Sequence, residues 1–422
     1  MARTASKLEG GSRISDYITL GAVARIFPAD RVEAILQSTG KTSQRQRDLP
    51  AHVVVYYVIA LALFSQASCS EVLRCLLEGV RWLRGADAEI KVAGKSGISQ
   101  ARSRLGWEPI RQLHDELVRP IATEKTQGAW FHGWRVVSLD GSTLDIPDDP
   151  ANESVFGRPS AARGESAFPQ LRFVSLVENG THVLFGTRMG PFKTSERVLA
   201  EEVLASLNQG MLCLADRGFY GFEFWQKARK TGAELAWRVN PRLGLPREQE
   251  LEDGSFLSTV WDIKDRWRRR SGGVPVRVVE YTLDGVRDGR LPASPENELS
   301  YRIITTILDP KAASAKELAA LYPERWEIET AFDELKTHLR GRQMLLRSKT
   351  PDHVRQEFYG LMMAHFAVRG LMHEAALQAE VDPDRLSFIH AVRVIRRTLP
   401  HIAALPPSGA PRSPRKRAAG TL

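Results

Sequence analysis

Cysteine is scarce in this chain: Cys69, Cys75 and Cys213 are the three among 422 residues. That is too few for a disulfide scaffold, and their spacing is not that of a zinc site. A reducing, cytoplasmic setting is expected. Long hydrophobic runs are also missing, since the longest, Val53 to Phe64, falls short of the roughly 20 residues that cross a bilayer. The N-terminal Met-Ala-Arg-Thr-Ala-Ser-Lys lacks the apolar centre of a signal peptide. Neither membrane anchoring nor export is expected. Acidic charge is in deficit, with Asp+Glu 50 against Lys+Arg 59 and a net +9, which favours a polyanionic partner. The rest, 43% hydrophobic and 26% charged, is the composition of a folded protein. The length predicts two or three domains.

Residues 17–126, after a disordered arm at 1–16, read as a separate all-helical domain with apolar residues at three-to-four spacing. Within it, Ser96-Gly-Ile-Ser-Gln-Ala-Arg102-Ser-Arg104 suits a helix that presents Arg102 and Arg104 to DNA. A solvated basic helix would use the same residues. Near residue 134 the texture changes. Arg135–Asp140 reads as a buried strand ending in the turn Asp140-Gly-Ser, and Leu171–Val177 with His182–Met189 as a hairpin around Asn179-Gly180. Ser195–Leu207 suits a helix capped by Ser195, and Met211 onward is a second buried strand that ends on Asp216. A helix at 221–232 and a strand at 235–239 complete a mixed α/β layer. Residues from about 240 to 300 break this rhythm with alternating segments and the basic loop around Trp267, so a β insertion is expected there. Helices follow at 351–400, then a basic, Pro-rich tail at 401–422 that cannot form a core.

The segment Tyr322-Pro-Glu-Arg325-Trp-Glu-Ile-Glu329-Thr-Ala-Phe-Asp-Glu-Leu-Lys336 sets polar groups at offsets that share one face. On an α-helix Tyr322, Arg325, Glu329 and Lys336 would lie within an arc of about 60°. Alone, this is equally an amphipathic helix with an i,i+4 ion pair between Arg325 and Glu329. Asp140 and Asp216 alone are equally turn formers. Together the three carboxylates have another use: ligands collect beyond the carboxyl ends of strands in α/β sheets, and oxygen ligands suit divalent ions. Asp145 and Asp148 rank below Asp140 as ligands.

This constellation resembles the catalytic core of bacterial DDE transposases, and specifically the insertion-element-four family. The likeness rests on Leu-Asp140-Gly-Ser-Thr-Leu-Asp-Ile-Pro-Asp, Leu-Ala-Asp216-Arg-Gly-Phe and the Tyr322/Arg325/Glu329/Lys336 signature. It implies an RNase H-like mixed-sheet catalytic core at 130–350 with the β insertion before the glutamate. It makes Asp140, Asp216 and Glu329 the catalytic ligands of two Mg²⁺ ions, with Mn²⁺ able to substitute. Arg325 and Lys336 would contact phosphates and Tyr322 would position the DNA backbone. Relatives process the transposon end through a DNA hairpin with a displaced base stacked on an aromatic residue. Tyr301 stands in the expected stretch, with Trp261 and Trp267 as alternatives. The implied partners are double-stranded DNA, as terminal inverted repeats and target, and a second copy of the chain in a synaptic homodimer. The implied location is the bacterial cytoplasm at the nucleoid.

Overall fold

The computed structural model describes residues 20–43, 49–65, 67–74, 76, 93–161, 164–165, 168–262, 272–282, 300–341 and 345–393. The arm at 1–16, Trp267 with its basic loop, and the tail at 401–422 lie outside the described residues. Among those described, no helix is long and apolar enough to cross a membrane.

Twelve strands are described: β1 (Trp130–Phe131), β2 (Trp134–Asp145), β3 (Ser160–Ala161), β4 (Gly164–Glu165), β5 (Gln170–Glu178), β6 (Val183–Pro191), β7 (Met211–Ala215), β8 (Glu234–Arg238), β9 (Gln249–Glu250), β10 (Phe256–Val260), β11 (Val274–Thr282) and β12 (Ser300–Thr305). β3 and β4 form a small ribbon, and the other ten form one sheet in the order β6-β5-β2-β7-β8-β12-β11-β10-β9, with β1 added to β2. β5 is antiparallel to β2 and β6 to β5, whereas β7 is parallel to β2 and β8 to β7. This is the expected RNase H-like mixed sheet, with helices before and after. Every residue of β7 is buried, as befits a parallel strand covered on both faces. The helix Phe222–Arg229 makes the crossover from β7 to β8 that a parallel pair requires. Ser195 caps the helix Glu196–Val203 by accepting from the Val198 amide.

Three local expectations change. β2 does not stop at Asp140, because β5 continues to pair with it as far as Asp145↔Gln170. The insertion is β structure but extends the main sheet: β12 pairs with β8 and carries β11, β10 and β9 outward. In the β5–β6 turn the left-handed residue is His182, at φ 55°, with neither Asn179 nor Gly180 at positive φ. Gly180 serves close approach instead, since a Cβ there would lie 2.5 Å from the Ala129 nitrogen.

The helical N-terminal region does not stand apart. Helix Ala51–Leu63 is buried from Val53 through Leu63 and packs on the 29-residue helix Pro351–Ala379. One hydrophobic cluster joins both helices to β2, β5, β6 and β7. The helix pair is tight at Gly360, where a Cβ would sit 2.7 Å from the Val58 carbonyl oxygen. Backbone cannot yield there as a side-chain tip does, so Gly360→Val should cost about 2 kcal/mol or more by overpacking. Urea unfolding followed by circular dichroism should show the midpoint falling; an unchanged midpoint would mean that the two helices can separate freely.

Candidate active site

The parallel β2–β7 ladder ends at Leu139↔Ala215, and the next residue on each strand is an aspartate, Asp140 and Asp216. The two carboxylates therefore leave neighbouring strands at the same level. The third arrives on a helical run of changing pitch: α-helix Ala315–Leu321, 3₁₀ turn Tyr322–Trp326, α-helix Glu327–Asp333 and π-helix Glu334–Leu339. A Ser314/Glu317 capping box starts it. The regular α spacing expected from the sequence is thus not kept, and the π segment falls where functional sites often place one.

Three of the four signature side chains nevertheless bond to the same two strands, and the fourth, Glu329, stands beside Arg325. Arg325, nearly buried, donates from Nη1 to Asp140 Oδ2 at 3.2 Å and stands 4.0 Å from Glu329. Lys336 Nζ donates to Ser142 Oγ at 2.6 Å, two residues beyond Asp140. Tyr322 is 4% exposed, and its hydroxyl donates to the Ala215 carbonyl at 3.1 Å. Its expected DNA-facing role is corrected: packed among apolar residues, the phenol braces the strand end just before Asp216.

Burial makes the charged groups of this place costly to ionise. Burial raises the Asp140 carboxyl to about 6, with Glu196 and Glu329 adding repulsion against the Gly141 amide and Arg325. Burial also raises Glu329, and Asp216 pushes in the same direction. Asp216 Oδ1 is buried with no hydrogen-bond partner, and the nearest ion-pairing cation, Arg238 Nη1, is 3.9 Å away. Lys336 is lowered, by burial first and then by Arg340. An orphaned carboxylate oxygen amid crowded acids fits a hard divalent cation, whose charge would relieve both costs. The Asp140, Asp216 and Glu329 oxygens are not drawn into a tight cage. Among the described residues, the one trio of ligand-type groups with atoms all within 4.8 Å of each other is His182, Glu327 and Asp384. That trio is already joined by hydrogen bonds and ion pairs.

Other expected residues divide. Tyr301 lies beside the site because β12 pairs with β8: its ring is 4.2 Å from the Arg238 guanidinium and stacks on Tyr281 at 5.4 Å. Trp261 follows β10, three strands from β8. Arg104 is exposed on helix Lys95–Leu105. Arg102, on that helix, faces inward and its expected contact with DNA is corrected. It donates to Gln356 Oε1 at 2.9 Å, Ser348 Oγ at 3.1 Å and the His353 carbonyl at 2.8 Å. Asp145 accepts from Gln170 and Asp148 pairs with Arg158, both away from Asp216, whereas Asp140 stands level with it.

Two further residues border the site. Glu196 lies over Gly141, where a Cβ would meet its Cδ at 2.8 Å; nothing in its local sequence signals this. Arg238 ends β8 as Asp216 follows β7, so the strand-end rule that selected the aspartates would also have found it.

The chain is similar to known transposases. Residues 17–115 match the family described as insertion element 4 transposase N-terminal, and residues 132–367 match the transposase DDE domain. The chain is 26% identical over 389 residues to the transposase InsG for insertion sequence element IS4 of Escherichia coli K12, across 90% of this chain and 83% of that protein. A solved piggyBac transposase synaptic complex with hairpin DNA matches at a TM-score of 0.46 and 10% identity, over 92% of this chain and 81% of that one. Two family matches in chain order, the second spanning Asp140, Asp216 and Glu329, establish that the chain belongs to the insertion element 4 family of DDE transposases.

Proposed function

We propose that this enzyme carries out cut-and-paste transposition of an insertion sequence, cutting at terminal inverted repeats and joining the freed 3′ ends to target DNA. The observation that carries this is the level placement of Asp140 and Asp216 just beyond the β2–β7 ladder, with Arg325 bonded to Asp140 and Glu329 next to Arg325 on the same helical run. Asp140, Asp216 and Glu329 would hold two Mg²⁺ ions, with Mn²⁺ able to replace them. Such ions, when bound, supply Lewis-acid stabilisation of an in-line phosphoryl displacement.

The chain's own groups supply binding and orientation. Arg325 offers a planar fork toward a phosphate while anchored on Asp140, and Lys336 is held at Ser142 by its ammonium. A phosphate beside Lys336 would offset the burial that lowers its pKa. Tyr301 and Arg238 form a flat stack next to Asp216 that suits an unpaired base. This supports end processing through a hairpin, in which a base must leave the duplex. Exposed Arg104 and the net charge of +9 suit backbone contact with DNA. Two copies of the chain would pair two element ends.

Purified protein incubated with duplex carrying the element's own end should cut at that end with Mg²⁺ or Mn²⁺, stop with EDTA, and recover when Mg²⁺ is restored. Added target DNA should yield a joined product. Binding without cutting in either metal would overturn the reading, and cutting without joining would reduce it to a hydrolytic nuclease.

A further inference from the structure

Asn179 sits in the β5–β6 turn, where sequence suggests a simple turn former, yet it is 1% exposed and both polar atoms of its side chain are hydrogen-bonded. Its Oδ1 accepts from Ser138 Oγ at 2.9 Å, and its Nδ2 donates to the Glu324 carbonyl at 2.7 Å. Ser138 lies on β2 two residues before Asp140, and Glu324 immediately precedes Arg325. One amide thus links the strand that carries an active-site aspartate to the helix that carries Arg325 and Glu329. A backbone carbonyl can only accept, which fixes the orientation of the amide.

The rest of the turn strengthens the link. His182, in its left-handed conformation, brings Nε2 within 2.6 Å of Glu327 Oε2, two residues before Glu329. The turn itself is tethered from below: buried Glu178 accepts from the amides of Ile121 and Ala122 at 2.9 and 3.0 Å and from the Thr181 hydroxyl at 2.6 Å. The segment receiving the Asn179 bond is a 3₁₀ turn, whose own hydrogen bonds are poorer than those of an α-helix. An external donor at Glu324 therefore holds a stretch that its internal ladder holds weakly.

We propose that Asn179 is a positioning residue, whose amide holds the Arg325–Glu329 helix at its working distance from the strand bearing Asp140. It touches neither DNA nor a reacting atom, and acts through Glu324 and Ser138. The proposal rests on the transposase reading above. Asparagine is required because the two neighbours need a donor and an acceptor on one short side chain. Asn179→Asp is nearly isosteric and keeps the acceptor for Ser138, but turns a second oxygen toward the Glu324 carbonyl. Asn179→Ala removes both bonds without repulsion.

The test compares wild type, Asn179→Ala and Asn179→Asp for DNA affinity, single-turnover cleavage of prebound element-end DNA, and amide exchange over residues 322–333. Misplacement of a catalytic group by about 1 Å costs on the order of a hundredfold in rate. Asn179→Asp should therefore cut about a hundredfold more slowly with unchanged DNA affinity. Asn179→Ala should fall between it and wild type. Exchange over 322–333 should rise in the same order while β7 stays protected. Wild-type rates and exchange in both variants would overturn the proposal with the transposase reading intact. Loss of DNA binding, cutting and β7 protection together would show Asn179 to be a fold residue only, and would also overturn it. If wild type itself binds but does not cut, the transposase reading fails instead.

Discussion

Glu329→Gln is expected to bind element-end DNA as wild type does and to cut it at least about a thousandfold more slowly. Removing one of three metal-directed carboxylates forfeits several kcal/mol of transition-state charge stabilisation, and each 1.4 kcal/mol or so is a tenfold loss of rate. Glutamine keeps the size and the hydrogen-bonding reach, so a loss of this order reports the charge. Half of the Glu329 side-chain surface is exposed and its ion-pair distance to Arg325 is a long 4.0 Å, so the fold should hardly notice. Wild-type cleavage by Glu329→Gln would remove it from the reaction.

Asp140→Asn should lose activity to the same degree and gain stability. The Asp140 carboxyl titrates near 6 in the folded protein, against an ordinary 3.8, chiefly because it is buried. A raised carboxyl pKa means that the folded state prefers the proton; that contribution is whole below pH 3.8 and is lost as pH rises through 6. Above 6 the folded protein carries a buried charge that asparagine lacks. Asp140→Asn should then be more stable at pH 7.5 by on the order of 2 kcal/mol, an advantage that should vanish near pH 4. Thermal unfolding at the two pH values, without divalent ions, measures it; equal stability at pH 7.5 would show that the Asp140 charge costs the fold nothing.

The second large effect is structural and separates two arginines that stand two residues apart on one helix. Arg102→Ala should destabilise the fold by about 3 kcal/mol or more, as expected when one partner is removed from a buried charged network. Its loss removes the hydrogen bonds that tie helix Lys95–Leu105 to Ser348 and to Gln356 and the His353 carbonyl of helix Pro351–Ala379. Glu357, which accepts from Ser348 Oγ at 2.5 Å, would lose a nearby cation as well. Arg104→Ala should leave stability unchanged and weaken DNA binding, most clearly at low salt. Chemical denaturation and a salt series of binding measurements distinguish them. Weaker DNA binding with unchanged stability in Arg102→Ala would contradict its inward orientation.

These arginines show where a sequence reading stops. Two residues apart on a helix they point in different directions, and the apolar pattern says that a helix exists without saying what its polar residues will meet. Arg102 is buried because Gln356 and Ser348, some 250 positions later, are folded against it. Tyr322 was read as part of a polar stripe, but its hydroxyl closes on the Ala215 carbonyl, a partner that periodicity cannot name. The insertion was legible as β structure from its alternation; that β12 would join β8 was not, since strand pairing is set by long-range register and leaves no local mark.

The sequence by itself determined the buried strands that carry Asp140 and lead to Asp216, the helix start at Ser195, and the ordered acidic triad with its Tyr322/Arg325/Glu329/Lys336 signature. These are short-range properties, carried by residue type and spacing. Only the tertiary structure decided that Asp140 and Asp216 stand level on one parallel ladder, that the Glu329 helix changes from 3₁₀ to α to π, and that Glu196 and Arg238 crowd the same place. It also turned Asn179 from a turn former into a bridge between strand and helix. Hydrogen bonds and ion pairs act over a few ångströms, so their partners are chosen by packing among segments that the chain order keeps far apart.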